Sequence, residues 1–397
     1  MAPRWTDRYP SLGSGPLDVS TLLEPGLWEL ERDRIFRRRW LPLARQEEVA
    51  RAGQYVCRPV EPASTEVVVV RGRDGVLRAF HNICAHRGNS LVARGCGRKD
   101  RFVCPFHAWS YRLDGSLAAV TDADQFPPFD AHRRGLVPVE VDEWQGFVFV
   151  RLDADGGPGL AEYLGACGAR LERYPLRDMP RAASFQADLA VNWKVALDAF
   201  QEGYHVPFLH RRSAGRAYAD GDNPCIHALH FELFEHHRMA SYPGVMPTSA
   251  TPLEKMAAAF GASVTRRADM TRADLGLNPT GSTAWAFDMF VFFPAFFVFA
   301  FDGFFFTYTF WPSAVDRTRF ELGVHFPPTT TVGERFAQEL AISGLRDTLL
   351  EDLEPMESVQ RNLASGVRGE FILQDQELLI RHSHHVIRRE SSAARAP

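Results

Sequence analysis

The spacing of apolar and polar positions changes character along the chain. From Pro25 to Trp40, Leu27, Leu30, Ile35 and Phe36 sit among alternating charges, which predicts an amphipathic helix with Pro25 in its first turn. Between Trp40 and Asp153 the pattern becomes short β-branched runs: Gln54 to Pro59, Glu66 to Arg71, Val137 to Val141 and Gly146 to Leu152. Turn signals such as Arg73-Asp74-Gly75 and Asp114-Gly115 separate them, so this region predicts a small all-β domain. The stretch Asp153-Ala154-Asp155-Gly156-Gly157-Pro158-Gly159 reads as a linker. Beyond it, Leu160 to Tyr174 predicts a helix, and Trp285 to Phe301 with Phe304 to Trp311 predict buried strands turning at Asp302-Gly303. Val332 to Ser365 and Gln374 to Arg389 predict helices. The fold class expected is α+β.

Length and composition narrow the function classes. A chain of 397 residues is long for one hydrophobic core, so two domains are expected. A net charge of -4 argues against a nucleic-acid partner. The Phe-rich run is not a membrane span, because Asp288 and Asp302 bracket an apolar segment too short to cross and Pro294 interrupts it. Six Cys in a chain this long make no disulfide scaffold, and Met1 to Pro16 lacks the apolar run of a signal peptide. The expectation is a cytoplasmic protein with Cys57, Cys96, Cys167 and Cys225 as free thiols.

Candidate chemistry sits first in Cys84-Ala85-His86 and Cys104-Pro105-Phe106-His107-Ala108-Trp109. Each loop offers one thiolate and one imidazole. A structural zinc takes that donor set in a tetrahedron, whereas a Rieske 2Fe-2S cluster places both Cys on one iron and both His on the other. Zinc sites usually pair Cys with Cys and His with His at short spacing, while here each loop mixes the two, which suits a cluster of unlike irons. The stretch resembles the Rieske family, whose signature is C-x-H, an intervening segment, then C-x2-H followed by a small residue and Trp. The resemblance assigns Cys84, His86, Cys104 and His107 to the cluster.

A second constellation lies in Asp198-Ala199-Phe200-Gln201-Glu202-Gly203-Tyr204-His205. On a helix this spacing puts Asp198, Glu202 and His205 on one face, and Pro207 should end that helix so that His210 comes round to the same point. Two His and one carboxylate form the facial triad of non-haem Fe(II) oxygenases, although the residues alone are more often a satisfied core His pair. With the first motif, the whole chain resembles the catalytic alpha subunit of Rieske non-haem iron oxygenases, the ring-hydroxylating family. Its pattern N-W-K, an acid, then E/D-x2-H-x4-H falls on Asn192-Trp193-Lys194, Asp198, Glu202, His205 and His210. The resemblance implies that His205 and His210 bind the iron and that Glu202 links the iron site to a Rieske cluster. It places the third ligand on Asp352 of Glu351-Asp352, with Glu351, Asp347 and Glu354 as alternatives. Many members carry Asn where this chain has Ala199. The further His residues, His227, His230, His236-His237 and His382 to His385, are read as non-ligands, the last group on an exposed terminal helix.

The resemblance implies the rest of the architecture. Residues 1–39 are expected as a helical segment packing on the catalytic domain, 40–155 as the Rieske domain, and 156–397 as a helix-grip catalytic domain with a large antiparallel sheet. Electrons would come from NAD(P)H through a separate reductase, with or without a ferredoxin, since the chain has no G-x-G-x-x-G fingerprint of its own. The working unit implied is a homotrimer, and the co-substrate is O2. Phe290, Phe292, Phe293, Phe296, Phe297, Phe299, Phe304, Phe305 and Phe306 suggest an apolar substrate, aromatic or polycyclic. The alternatives are O- or N-demethylation and, from another class, an electron carrier whose second domain merely binds an apolar ligand.

Overall fold

The computed structural model describes residues 4–153, 156–218, 221–244, 251–261 and 272–392. Met1 to Pro3, and Ala154 and Asp155 of the expected linker, lie outside the described residues. The chain divides into one compact unit made of Met1–Glu31 with Leu164–Pro397, and a second made of Arg32–Tyr163. The divisions differ from those drawn after residues 39 and 155, for a local reason. The guanidinium of Arg37 donates two 3.2 Å hydrogen bonds to Asp153, Trp40 Nε1 donates to Pro158 O at 3.1 Å, and Arg151 binds the carbonyls of Gly157 and Pro158. The expected linker is thereby strapped onto the smaller unit, and the helical stretch from Pro25 changes unit between Glu31 and Arg32.

In the unit Arg32–Tyr163, a seven-stranded sheet runs in the order Leu41–Arg45, Phe147–Arg151, Pro138–Trp144, Leu77–His81, Thr65–Arg71, Gln54–Val60, Gly95–Arg98. Val67 to Val70 are fully buried on both faces of their strand, which explains an unbroken apolar run where a half-exposed strand would alternate. A small sheet of Phe102–Val103, Ser110–Tyr111 and Leu117–Ala119 accompanies it. Both Cys/His loops leave strand ends: one follows Leu77–His81, the other joins Phe102–Val103 to Ser110–Tyr111.

The unit containing Leu164–Pro397 is built on a second seven-stranded sheet in which every neighbouring pair is antiparallel. Its order is Arg181–Leu189, Arg317–His325, Phe305–Ala314, Phe296–Ala300, Trp285–Phe292, Arg238–Pro243, His230–Leu233. The Phe-rich region makes three strands here, because the chain also turns at residues 293–295. Pro294 cannot donate to a central ladder, and the turn spares the sheet that gap. Two long helices follow, Val332–Ala364 and Leu378–Ser392. The second corrects the expectation of an exposed helix at His382 to His385: His382, Ser383 and His384 are buried and only His385 is exposed. Packing against Pro25–Glu31, His230–Leu233 and Arg238–Pro243 covers most of its circumference. Among the described residues no helix is long and apolar enough to cross a membrane.

Candidate active site

Asn192 caps the short helix Trp193–Asp198, its side-chain oxygen accepting from Lys194 N at 3.0 Å. The next two residues anchor it. Trp193 Nε1 and Lys194 Nζ both donate to the fully buried carboxylate of Glu31, at 2.7 and 2.6 Å. The helix stops at Asp198 and does not run on to His205 as expected. Within the intervening stretch Gly203 marks a close approach: a Cβ there would stand 2.9 Å from Ile226 O and 3.0 Å from the Tyr242 ring, so the backbone passes where no side chain fits. Pro207 accordingly opens a new helix, Val206–Leu209, instead of closing an old one. His205 precedes that turn, His210 follows it, and Asp352 comes from the middle of Val332–Ala364.

These three side chains converge. Asp352 Oδ1 lies 3.1 Å from His210 Nε2 and 3.8 Å from His205 Nε2, and one donor atom from each residue falls within 4.8 Å of the others. Among the described residues no other group of His, Cys, Asp and Glu gathers in this way. His210 and Asp352 are buried, and His205 is partly open. Each imidazole is held from behind by a second carboxylate. Glu202 binds His205 Nδ1 and also accepts from His205 N at 3.0 Å, while Glu351 accepts from His210 Nδ1 at 2.7 Å and from Ser213 Oγ at 2.7 Å. Of the alternative third ligands, Glu351 therefore stands behind an imidazole, Asp347 pairs with Arg346 at the surface, and Glu354 is exposed. Burial disfavours a charged His210, but Asp352 and Glu351 outweigh it and raise its pKa.

Behind the metal-type cluster lies a network that sequence reasoning missed. His384 Nε2 meets Asp198 Oδ2 at 2.8 Å, Arg238 Nε donates to Gln201 Oε1 at 2.5 Å, and Arg238 Nη2 donates to Ser383 Oγ at 3.0 Å. The read-off pattern gave no warning, since these partners come from the sheet and from Leu378–Ser392. His236 meets Glu390, and His237 accepts from Phe293 N, so neither joins the cluster.

A cavity of about 130 Å³ opens directly beside His205, His210 and Asp352. Cross-strand register builds its wall: Tyr242 faces Phe287, Met289 faces Phe299, and Phe299 faces Phe306 on one side of the sheet. Of the phenylalanines singled out from sequence, Phe299 and Phe306 line it, while the others named do not. Phe200, Tyr218, Tyr242, Phe287, Phe301 and Tyr308 line it too and were not foreseen. Phe287 lies on the strand before the turn at residues 293–295, so a period-two count from Phe299 does not reach it, and only the cross-strand pairing identifies which face is inside.

The Cys/His loops form matching turns. Cys84 N donates to Asn89 O and Gly88 N to Cys84 O, both at 2.9 Å; Cys104 N donates to Trp109 O at 2.8 Å and Ala108 N to Cys104 O at 2.9 Å. Gly88 and Ala108 occupy the same place in the two turns, both with positive φ. Both Cys are buried, and both His are only half-buried, their rings 4.7 Å apart, with His86 stacked on Trp109 at 4.9 Å. Burial pushes the Cys104 thiol up, but the N–H groups of Phe106 and His107 bring its pKa below the usual value and favour the thiolate. Tyr111 Oη lies 3.2 Å from Cys84 Sγ and accepts from Ala85 N.

Residues 39–130 match the model of the Rieske 2Fe-2S domain, and residues 176–392 match that of the ring-hydroxylating alpha subunit catalytic domain. The chain belongs to the ring-hydroxylating oxygenase family. Relatives include the carnitine monooxygenase oxygenase subunit of Acinetobacter baumannii, 38% identical over 45% of this chain and 48% of that protein. The glycine betaine monooxygenase oxygenase subunit of Chromohalobacter salexigens is 34% identical over 51% of this chain and 45% of its own. The chain thus matches about half the length of these curated relatives. The solved quaternary ammonium Rieske monooxygenase CntA with gamma-butyrobetaine superposes with a TM-score of 0.75 over 96% of this chain and 97% of that one, at 23% identity. Naphthalene 1,2-dioxygenase from Rhodococcus gives 0.73 over 96% and 95%, at 20% identity. At these identities the likeness is one of fold.

Ring-hydroxylating oxygenases of this domain pair carry a Rieske 2Fe-2S cluster and a mononuclear iron, and the residues present fit both. At the Cys/His loops the sulfurs lie inside and the imidazoles outside, and His86 Nδ1 is buried without a hydrogen-bond partner. No three of these four residues bring donor atoms within single-ion distance, which disfavours zinc and suits a centre of two metals. At His205, His210 and Asp352 the donor set is that of a facial triad, with both outer imidazole nitrogens already satisfied.

Proposed function

We propose that the chain is the terminal oxygenase of a monooxygenase system that oxidises a C–H bond of a compact substrate bearing a methylated onium nitrogen. The observation that carries this reading is the cavity beside the triad: aromatic rings dominate its wall, its ionisable acids are Glu202 and Asp352, and no Lys or Arg is among its described lining residues. Aromatic faces and carboxylates attract a cation, and a quaternary ammonium is bound by ring faces in just this way. The same wall offers no cationic side chain to a substrate carboxylate among its described lining residues. The relatives named for carnitine, glycine betaine and choline point to the same head group. At about 130 Å³ the cavity is near the ~150 Å³ that holds one benzene, so it favours a single ring or a small onium over a polycyclic compound.

His205, His210 and Asp352 would hold the mononuclear iron, while Cys84 and Cys104 would hold one end of the cluster and His86 and His107 the other. When bound, the cluster supplies electrons singly and the iron supplies the open position where O2 reacts. The chain's own residues prepare that position. Glu202 and Glu351 fix the protons of His205 and His210 on Nδ1, leaving each Nε2 lone pair directed toward Asp352. Aromatic walls exclude water from the substrate side. The balance is one substrate C–H, one O2, two electrons and two protons giving one C–OH and one water. Where the carbon is bonded to a quaternary nitrogen, the resulting hydroxylated ammonium loses its C–N bond, the electron pair going to nitrogen and the hydroxyl proton to solvent, to give an aldehyde and a tertiary amine.

The electrons would come from NAD(P)H through a separate reductase, and the working unit would be a homotrimer. Glu202 spends one lone pair of each oxygen on His205, leaving others for a hydrogen bond from the cluster ligand His107 of a neighbouring copy. Single-ring hydroxylation is the second reading, favoured by the same apolar wall. An electron carrier has no use for a triad opening onto that cavity. The test is turnover with a surrogate reductase and labelled O2 against choline, carnitine, glycine betaine and single-ring aromatics. One labelled oxygen in the product of an onium substrate supports the reading; protein that retains both metals and oxidises only the aromatics overturns it.

A further inference from the structure

The net charge of the chain conceals a division between its two units. Arg32–Tyr163 holds 20 Lys and Arg against 17 Asp and Glu, whereas the rest of the chain holds 25 against 32. Within the basic unit the excess is concentrated. From Val92 to Leu113 there are five Lys and Arg, namely Arg94, Arg98, Lys99, Arg101 and Arg112, and a single acid, Asp100. Arg94 pairs with Glu66 and Asp100 with Arg73, but Arg98, Lys99 and Arg101 are exposed and have no ion pair among the described residues. The hydrogen bonds of Arg112 go to neutral acceptors, Ser116 Oγ and Leu117 O. Arg101 and Arg112 stand in a cleft of about 490 Å³ with Arg73, Arg78 and three acids. Arg78 and Arg73 neutralise two of these, Asp74 and Asp100, which leaves Asp114 to face Arg101 and Arg112. The cleft is many times the roughly 30 Å³ share of one water, so it has room for the side chains of a protein surface and not merely for an ion.

This cleft lies close behind the Cys/His loops. Phe102 pairs with Tyr111 and Val103 with Ser110; Arg101 and Arg112 flank this ladder at one end, and the loop Cys104–Trp109 closes it at the other, about 7 Å away along two residues of strand. Leu113 of the cleft packs in the same core as Cys84, Cys104 and Tyr111, and Tyr111 Oη reaches Cys84 Sγ at 3.2 Å. The cleft thus leads to the buried sulfur side, whereas the half-buried His86 and His107 form the outer side.

We propose that this basic cleft is where an acidic one-electron carrier protein docks, so that electrons enter from the sulfur side and leave from the imidazole side. This rests on the separate-reductase reading and names the chemistry of that partner. The imidazole side is the one assigned to Glu202 of a neighbouring copy, so a carrier needs another approach. Each encounter moves one electron from the carrier, which is oxidised, to the cluster site, which is reduced, with no bond made or broken; two encounters supply the two electrons of a turnover. Unpaired cations suit such transient docking, since an exposed ion pair largely cancels its own field, and a complementary field raises encounter rates by about 10–10³-fold.

The test uses the full chain with its cluster and, as probe, a plant-type 2Fe-2S ferredoxin, an acidic carrier whose potential lies below that of a Rieske centre. Binding is read first, by carbodiimide coupling of carboxylate to amine. The chain has only three Lys: Lys99, Lys194, which is buried against Glu31, and Lys255 in the larger unit. An amide between ferredoxin and Lys99, identified by mass, is expected. Reversing both charges in Lys99→Glu with Arg101→Glu should slow bleaching of the visible absorption by reduced ferredoxin at least about tenfold at low salt. The gap should close near 1 M salt, where the screening length is about 3 Å. Reduced methyl viologen needs no docking surface and should bleach the variant no more slowly, which separates lost docking from a damaged cluster site. Arg317→Glu, a reversal at an exposed position of the larger unit, should change neither rate. A ferredoxin rate that ignores the double reversal, a cross-link confined to Lys255 or the amino terminus, or no binding of ferredoxin, whether or not inorganic phosphate binds in its place, overturns the assignment. If turnover with the surrogate reductase persists in any of those cases, the reading of an externally reduced oxygenase stands without it.

Discussion

Glu351 and Asp352 are neighbours in the chain with separate tasks, and the difference is one of direction. Asp352 points into the gap between the two Nε2 atoms, while Glu351 accepts from Nδ1 on the far side of His210. Asp352→Ala should therefore strip the mononuclear iron and leave the visible absorption of the cluster intact. Glu351→Gln should keep the iron but bind it about 10–100-fold more weakly, as losses behind a ligand generally do. Iron content per chain and a competitive chelator titration distinguish the outcomes; equal iron loss in both variants would make the division of roles wrong. In the smaller unit, Cys104→Ser should bleach the absorption without releasing the mononuclear iron. The side chains that the structure brings together were legible where their spacing is local, as for Cys84 with His86, Cys104 with His107 and His205 with His210, whereas Asp352 was placed only through the family resemblance. Glu351 behind His210 was not, since 141 positions separate them and an acid on a helix surface looks the same in sequence.

At the scale of elements, the helix Leu378–Ser392 and the short stretch at Trp5–Arg8 act at a distance from their own sequence. His384→Ala would leave the mostly buried Asp198 carboxylate without its imidazole and should cost about 2 kcal/mol in denaturant unfolding. An exposed helix would lose almost nothing. Asp375 ties in the other segment by accepting from Trp5 N, Thr6 N and Thr6 Oγ at 2.8–2.9 Å. Burial pushes this carboxyl up, but the bonds from Thr6 and Trp5 outweigh it and its pKa is depressed. A depressed carboxylate stabilises above its ordinary pKa of about 3.9, and the stabilisation disappears as pH falls through the lower folded value. Hydrogen-exchange protection of the Trp5 and Thr6 amides should accordingly hold near pH 5 and be lost toward pH 2; protection unchanged across that range would refute the tether. The elements hardest to read were those whose cue is uniform. Phe at ten of the seventeen positions from Phe290 to Phe306 hides the alternation that separates strands, and the close approach of Ile226 and Tyr242 to Gly203 comes from residues distant in sequence.

At the scale of the whole molecule, the expected homotrimer makes a mixing experiment decisive. Chains carrying Cys104→Ser lack the cluster and chains carrying His205→Ala lack the mononuclear iron, so each alone should be inactive. Co-expressed, they should recover part of the activity if electrons pass between copies, and mixed assemblies that load both metals yet remain inactive would exclude that route. The division of the chain has a different consequence, one of timing. Arg32–Tyr163 is continuous, whereas Met1–Glu31 belongs with Leu164–Pro397. During synthesis Glu31 leaves the ribosome long before Trp193 and Lys194, the groups that satisfy its buried carboxylate, and Asp198 waits in turn for His384. The smaller unit can close, and acquire its cluster, while the larger one is still two unjoined pieces. A ribosome stalled so that Tyr163 has left the exit tunnel while Trp193 is still inside it should carry a chain whose first segment is protease-sensitive while Arg32–Tyr163 is already folded.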